Sequence, residues 1–173
     1  MLGWTGHHIH AAPFGQEVCI VATIIQEEHE RRIDSGAGAF PAWDGFFDAA
    51  GSSRSAPAPP VEVQGVLAVR KRWPSALTAA SSFVAFTPAR AVLVPAREAG
   101  LRLHLEATVC EVGVLACHQT EVKIHQMPNA TLGRQVGDGP IHRVFKERVY
   151  ASLLAGNLGD TSAHRRIADG ASQ

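Results

Sequence analysis

His7-His8-Ile9-His10 is the string whose residue types and spacing come closest to chemistry in this chain of 173 residues. In extended backbone, His8 and His10 project to the same side, about 6.5–7 Å apart, close enough for both imidazoles to hold one metal ion. Zinc suits such ligands, and it needs at least a third protein ligand. Glu27, Glu28, His29 and Asp34 follow in the sequence, with no spacing that selects one of them. The competing reading is a plainly exposed segment near the start of the chain.

A second group is basic. Arg70-Lys71-Arg72-Trp73 places three cations before an aromatic ring, a combination that meets a phosphate backbone and stacks a base. The plainer alternative is a charged strand end. Cys110 and Cys117 offer thiols for nucleophilic or redox chemistry, but the sequence places no helix N-terminus or oriented base beside them to favour a thiolate. No catalytic residue is therefore assigned. The phosphate-cradling Gly-x-x-x-x-Gly-Lys, the Gly-x-Ser-x-Gly elbow, Cys-x-x-Cys and the dinucleotide fingerprint are all absent. The His string also lacks the third His of a histidine-triad hydrolase and the later Asn and His partners of an HNH nuclease.

Composition narrows the function classes. Sixteen basic and sixteen acidic residues leave no net charge, which removes the bulk electrostatic argument for a nucleic-acid or membrane-surface partner. No apolar run approaches the ~18 residues of a membrane span, so no membrane partner is expected. The first fifteen residues carry neither a basic leader nor an apolar stretch. With an odd count of three cysteines, reduced thiols in a soluble, cytoplasmic protein are the expectation. Charge is unevenly placed: residues 1–60 carry a net −4 and residues 61–173 a net +4, which favours attraction between the parts. Thirteen Arg against three Lys, with 27 Ala, fits a GC-rich coding sequence and keeps open a chain with no selected biochemical function.

The elements that must position these residues are read from periodicity. Residues 17–26 form a short β-branched run within an N-terminal segment 1–50. Val18, Val21 and Ile25 also fit helical spacing, so period alone leaves strand and helix open, with a buried strand followed by a charged or helical turn as the favoured expectation. Residues 51–60, rich in Ser and Pro, read as a linker or surface loop. In the main region, 61–156, Val61, Val63, Leu67 and Val69 alternate with polar residues, and 82–86 and 92–94 look like shorter strands. Pro88 and Pro95 bracket the last of these and keep it from the middle of a ladder. Residues 101–126 read as a hairpin about a Gly113-Val114 turn. Leu103, Leu105, Ala107 and Val109 then lie on one face, and His104, Glu106 and Cys110 on the other. A helix runs from Pro140 to Ala155 with Ile141, Val144, Phe145, Val149 and Leu153 on its apolar stripe, and 157–173 is a loose tail. The expected architecture is α+β and β-rich: an antiparallel curled or small barrel-like sheet packed by the C-terminal helix.

Two resemblances carry functional expectations. Val61-x-Val63-x-Gly65, followed by Arg70, Phe86 and a closing hairpin, resembles an OB-fold of the kind attached to aminoacyl-tRNA synthetases. It implies a non-enzymatic binding or interaction domain with nucleic-acid contacts at Arg70, Arg72, Trp73 and Phe86 and no cofactor, or zinc if His8 and His10 find a third ligand. The segment from Leu103 to Gly113 resembles the penultimate strand and turn of hotdog thioesterases and dehydratases, which implies an acyl-CoA enzyme. The binding domain is the preferred expectation. Ligand, partner and oligomeric state are not encoded in any motif.

Overall fold

Val18–Ile24 shows no alternation because both of its faces are buried, and this strand sits inside the sheet between two partners. It is β2 of a computed structural model that describes residues 2–39, 58–87, 89–129 and 139–157. The other strands are β1 (His7–Ala11), β3 (Val61–Val69), β4 (Arg90–Pro95), β5 (Gly113–His118) and β6 (Glu121–Gln126). The helices are α1 (Gln26–Asp34), α2 (Trp73–Ser81), α3 (Leu101–Val109) and α4 (Pro140–Asn157). The fold is α+β, with a C-terminal helix as expected.

The six strands form one open sheet in sequence order, β1 to β6. Strands β1–β2, β2–β3 and β5–β6 pair antiparallel, whereas β3–β4 and β4–β5 pair parallel. The sheet is therefore mixed and not closed, which corrects the expectation of an antiparallel or barrel-like sheet. The cause is α2 and α3. Each fills the space between consecutive strands, and a helical crossover returns the chain parallel to the strand it left. Among the described residues, those in helices also outnumber those in strands.

Three segments differ from their sequence-based reading. Residues 82–86 are turn rather than strand, and they bury Phe83 and Phe86. β4 is a central strand despite Pro95, because that proline is its last residue. Most consequentially, 101–109 is a helix. Leu-Arg-Leu-His-Leu-Glu-Ala is a run of helix formers, and Leu103 and Ala107, four apart, are buried. Leu105 and Val109, expected on the same face as these two, are 60% and 83% exposed. The hairpin exists, but β5 begins where its turn was expected, and the chain reverses at Gln119-Thr120 with His118 opposite Glu121. Gly113 has another role there: a Cβ would lie 2.7 Å from the Pro128 ring.

The helix α3 ends in a Schellman motif. Glu111 takes φ 59°, the Val112 N–H donates to the Ala107 carbonyl at 2.9 Å, and the Glu111 N–H donates to Thr108 at 3.2 Å. Residues paired across neighbouring strands share a face. Ile9, Ile20 and Val66 make one such row, and Ala68, Val92 and Val114 another. Both rows belong to the core that also contains Leu77, Leu103, Phe145, Val149 and Tyr150 from the helices. The opposite face carries Cys19, Val21, Gly65 and Leu67, and the Trp4 ring packs on Gly65 so closely that a Cβ would come within 2.5 Å of it.

Candidate ligand-binding edge

β3, β4 and β5 point the same way, so their carboxyl ends share one edge of the sheet, where open sheets of this kind hold ligands. α2 and α3 both start from this edge. β2 runs antiparallel to β3, which brings the first residues of β2 and the last of β1 there as well.

The basic run leaving β3 lies on this edge. Arg70 is half-buried and held by two main-chain carbonyls: Nη1 donates to Val69 at 2.9 Å and Nη2 to Glu17 at 2.7 Å. Lys71 is exposed, and so is Arg72, whose side chain is 78% accessible. Trp73 opens α2, and its N–H donates to Glu98 Oε2 at 3.1 Å, so this carboxylate caps the helix. Glu98 also lies 3.7 Å from Arg72 Nε. Across from Trp73, the Arg102 guanidinium carbon sits 5.6 Å from the indole centre, with its side chain 81% exposed. Arg102 Nε donates to Glu106 Oε1 at 3.0 Å. Exposed Arg97 completes the edge. Both ion pairs are solvent-exposed on the arginine side and worth little, so the arginines remain available to an anion.

Beside this ridge is an open groove of about 510 Å³, lined by His10, Ala11, Glu17, Cys19, Val69 and Arg70 among others. Burial pushes the Cys19 thiol above its ordinary range, so it remains protonated at neutral pH and is no nucleophile.

The structure thus brings together residues that the sequence offered separately. Arg70, Arg72 and Trp73 share the edge, and His10 joins Arg70 in the groove. Phe86 is elsewhere. It is 9% exposed, with its ring 4.9 Å from both Phe14 and Phe145, and it serves the core rather than a ligand. His8 and His10 are exposed and point away from buried Ile9 on the edge strand β1. Among the described residues no group of three His, Cys, Asp or Glu is placed to hold a metal ion. Cys110 ends α3 while Cys117 lies on β5, and both are free thiols. The expected polar strand face does not form, because 101–109 is a helix; His104 of α3 instead stacks on His125 of β6, with ring centres 5.5 Å apart.

Sequence reasoning missed a second charged cluster. Arg32 donates to Glu147 at 2.5 and 3.3 Å, with side chains only 2% and 5% exposed. It also reaches the carbonyls of Gly38 and Ala58, both at 3.3 Å. Nearby, the His29 Nδ1 and the Tyr150 hydroxyl are 2.9 Å apart. Burial raises the Tyr150 phenol, while Arg32 pulls it down and Glu147 adds to the rise. Enclosed in this way, the cluster ties α1 to α4 and offers no access to a ligand.

The chain matches no protein-family model, no curated protein and no solved structure. Among the described residues, no helix is long and apolar enough to cross a membrane.

Proposed function

We propose that this protein is a non-enzymatic binding domain that takes single-stranded nucleic acid along the carboxyl edge of its parallel strands. The observation that carries this reading is the cation–π contact of Arg102 with Trp73, 5.6 Å from guanidinium carbon to ring centre, among Arg70, Lys71, Arg72 and Arg97. A guanidinium held over an indole presents its other face as a platform on which an unpaired base stacks, while neighbouring cations meet the phosphates. Glu98 supports the reading from below, since it is spent on the α2 N-terminus and on one arginine. The zero net charge of the whole chain is no obstacle, because the acidic excess lies in residues 1–60 and the ridge belongs to the basic part.

Fluorescence anisotropy with a labelled oligothymidylate, titrated with salt, tests the reading. Binding at low salt should weaken as salt rises, with a log–log slope of about −2 to −3 for three or four phosphate contacts. Arg72→Glu with Arg102→Glu should abolish it without lowering the melting temperature, as both side chains are exposed. Absence of binding to single-stranded DNA and RNA at low salt would sink the proposal.

A further inference from the structure

We infer that the groove beside the ridge is a subsite for a terminal phosphate monoester, the 5′-phosphate of the strand bound along the edge. The inference rests on the nucleic-acid reading for the source of that phosphate, and on the groove's own chemistry for the site.

Arg70 is the first argument. Its guanidinium is fixed by the Val69 and Glu17 main-chain carbonyls, at 2.9 and 2.7 Å, both of them neutral acceptors. They hold the fork in place without compensating its charge. A pre-positioned guanidinium of this kind binds phosphate oxygens with less ordering cost than a free side chain. His10 faces the same groove from β1 and adds a ring N–H donor. Cys19 remains a neutral thiol on the groove wall and contributes no opposing charge. Glu17 is the one acid there, and it contributes its main-chain carbonyl to Arg70.

Shape is the second argument. At about 510 Å³ the groove falls within the range of sites for small ligands, and Ala11, Val18 and Val69 provide apolar wall for a sugar or base. Arg70 and Arg72 are two residues apart, at most about 7 Å along the backbone. A strand that leaves its end at Arg70 therefore continues directly onto the ridge.

The test compares oligothymidylates that differ only in carrying a 5′-phosphate or a 5′-hydroxyl, measured by anisotropy at low salt. Thymidine monophosphate is added separately and followed by thermal shift. The 5′-phosphate is expected to tighten binding by about fivefold or more in the wild type. That ratio should fall towards one in Arg70→Gln and in His10→Gln. The second variant sits exposed on an edge strand and keeps the result readable if Arg70→Gln loosens the β2–β3 contact. Equal binding of the two oligonucleotides by the wild type overturns the subsite and leaves the strand-binding reading standing. If neither oligonucleotide binds but the monophosphate raises the melting temperature and Arg70→Gln abolishes the rise, the groove is a site for a free phosphate monoester and the strand-binding reading falls. If nothing binds, both fall.

Discussion

Replacing Glu147 by Gln is expected to cost about 3–5 kcal/mol of folding free energy, the penalty for leaving a buried cation without its carboxylate. The geometry justifies the upper class of effect. Glu147 accepts from both Nη atoms of Arg32, at 2.5 and 3.3 Å, and the two side chains are 5% and 2% exposed. A Gln there retains one carbonyl acceptor and turns an amide donor toward guanidinium donors, so Arg32 is left with main-chain carbonyls such as those of Gly38 and Ala58 as neutral acceptors. The control is Glu27→Gln, which removes a pair with Arg31 whose side chains are 84% and 55% exposed, and should cost at most about 0.5 kcal/mol. For a chain of this size, about 2–4 °C of melting temperature accompanies each kcal/mol, so Glu147→Gln should melt about 6–20 °C below the wild type. Paired replacement by Arg32→Met and Glu147→Leu should recover much of that loss, since no charge is then stranded. Chemical denaturation of the four proteins gives the comparison. If Glu147→Gln and Glu27→Gln are equally mild, water reaches the pair and the description of a buried clamp is wrong.

Two further outcomes follow from backbone strain and from burial. Gln119 turns the β5–β6 hairpin at φ 55°, a conformation glycine adopts freely, so Gln119→Gly should stabilise by about 0.5–1 kcal/mol in urea denaturation, and a loss would refute the strain. Cys19 and Tyr150 are both held above their ordinary values of 9.0 and 10.0, so the folded chain keeps protons that the unfolded chain has released. Their stabilisation is complete below those values and is lost as pH rises through the folded ones. Melting temperature should therefore decline from about pH 9 upward, and Cys19→Ala should delay the decline towards pH 10. A profile unchanged by Cys19→Ala would place that thiol in water.

Much of the fold was legible where one period dominated. The start of β3 and most of the α4 stripe read correctly, since Val61, Val144, Phe145, Val149 and Leu153 are buried, whereas Val69 and Ile141 are 47% and 54% exposed; β2, buried on both faces, carries no such period. Residues 101–109 defeated the same reasoning. Leu101, Leu103, Leu105, Ala107 and Val109 alternate perfectly, yet a helix needs only Leu103 and Ala107 inside. A strand there would have buried all five on one face, so pattern favoured it over a helix that leaves three exposed. Glu147 was misjudged for a related reason. Its type placed it outside, and only the approach of Arg32 from another helix lets a carboxylate lie at 4% exposure in the core.

The candidate edge divides in the same way. The cations of 70–72, the indole at 73 and the imidazoles at 8 and 10 are plain in the sequence, and so are the strand identity of β3 and the helix identity of α4. These are local properties, set by side-chain chemistry and by periods a few residues long. That β1 lies two strands from β3, that Arg102 lies over Trp73 and that Phe86 turns inward are set by contacts far apart in the chain, and the parallel run of three strands depends on two crossover helices. Contacts between residues far apart in the chain form only when a shared core makes up for the entropy of closing the loops between them. No local pattern records that balance, and tertiary packing alone decides it.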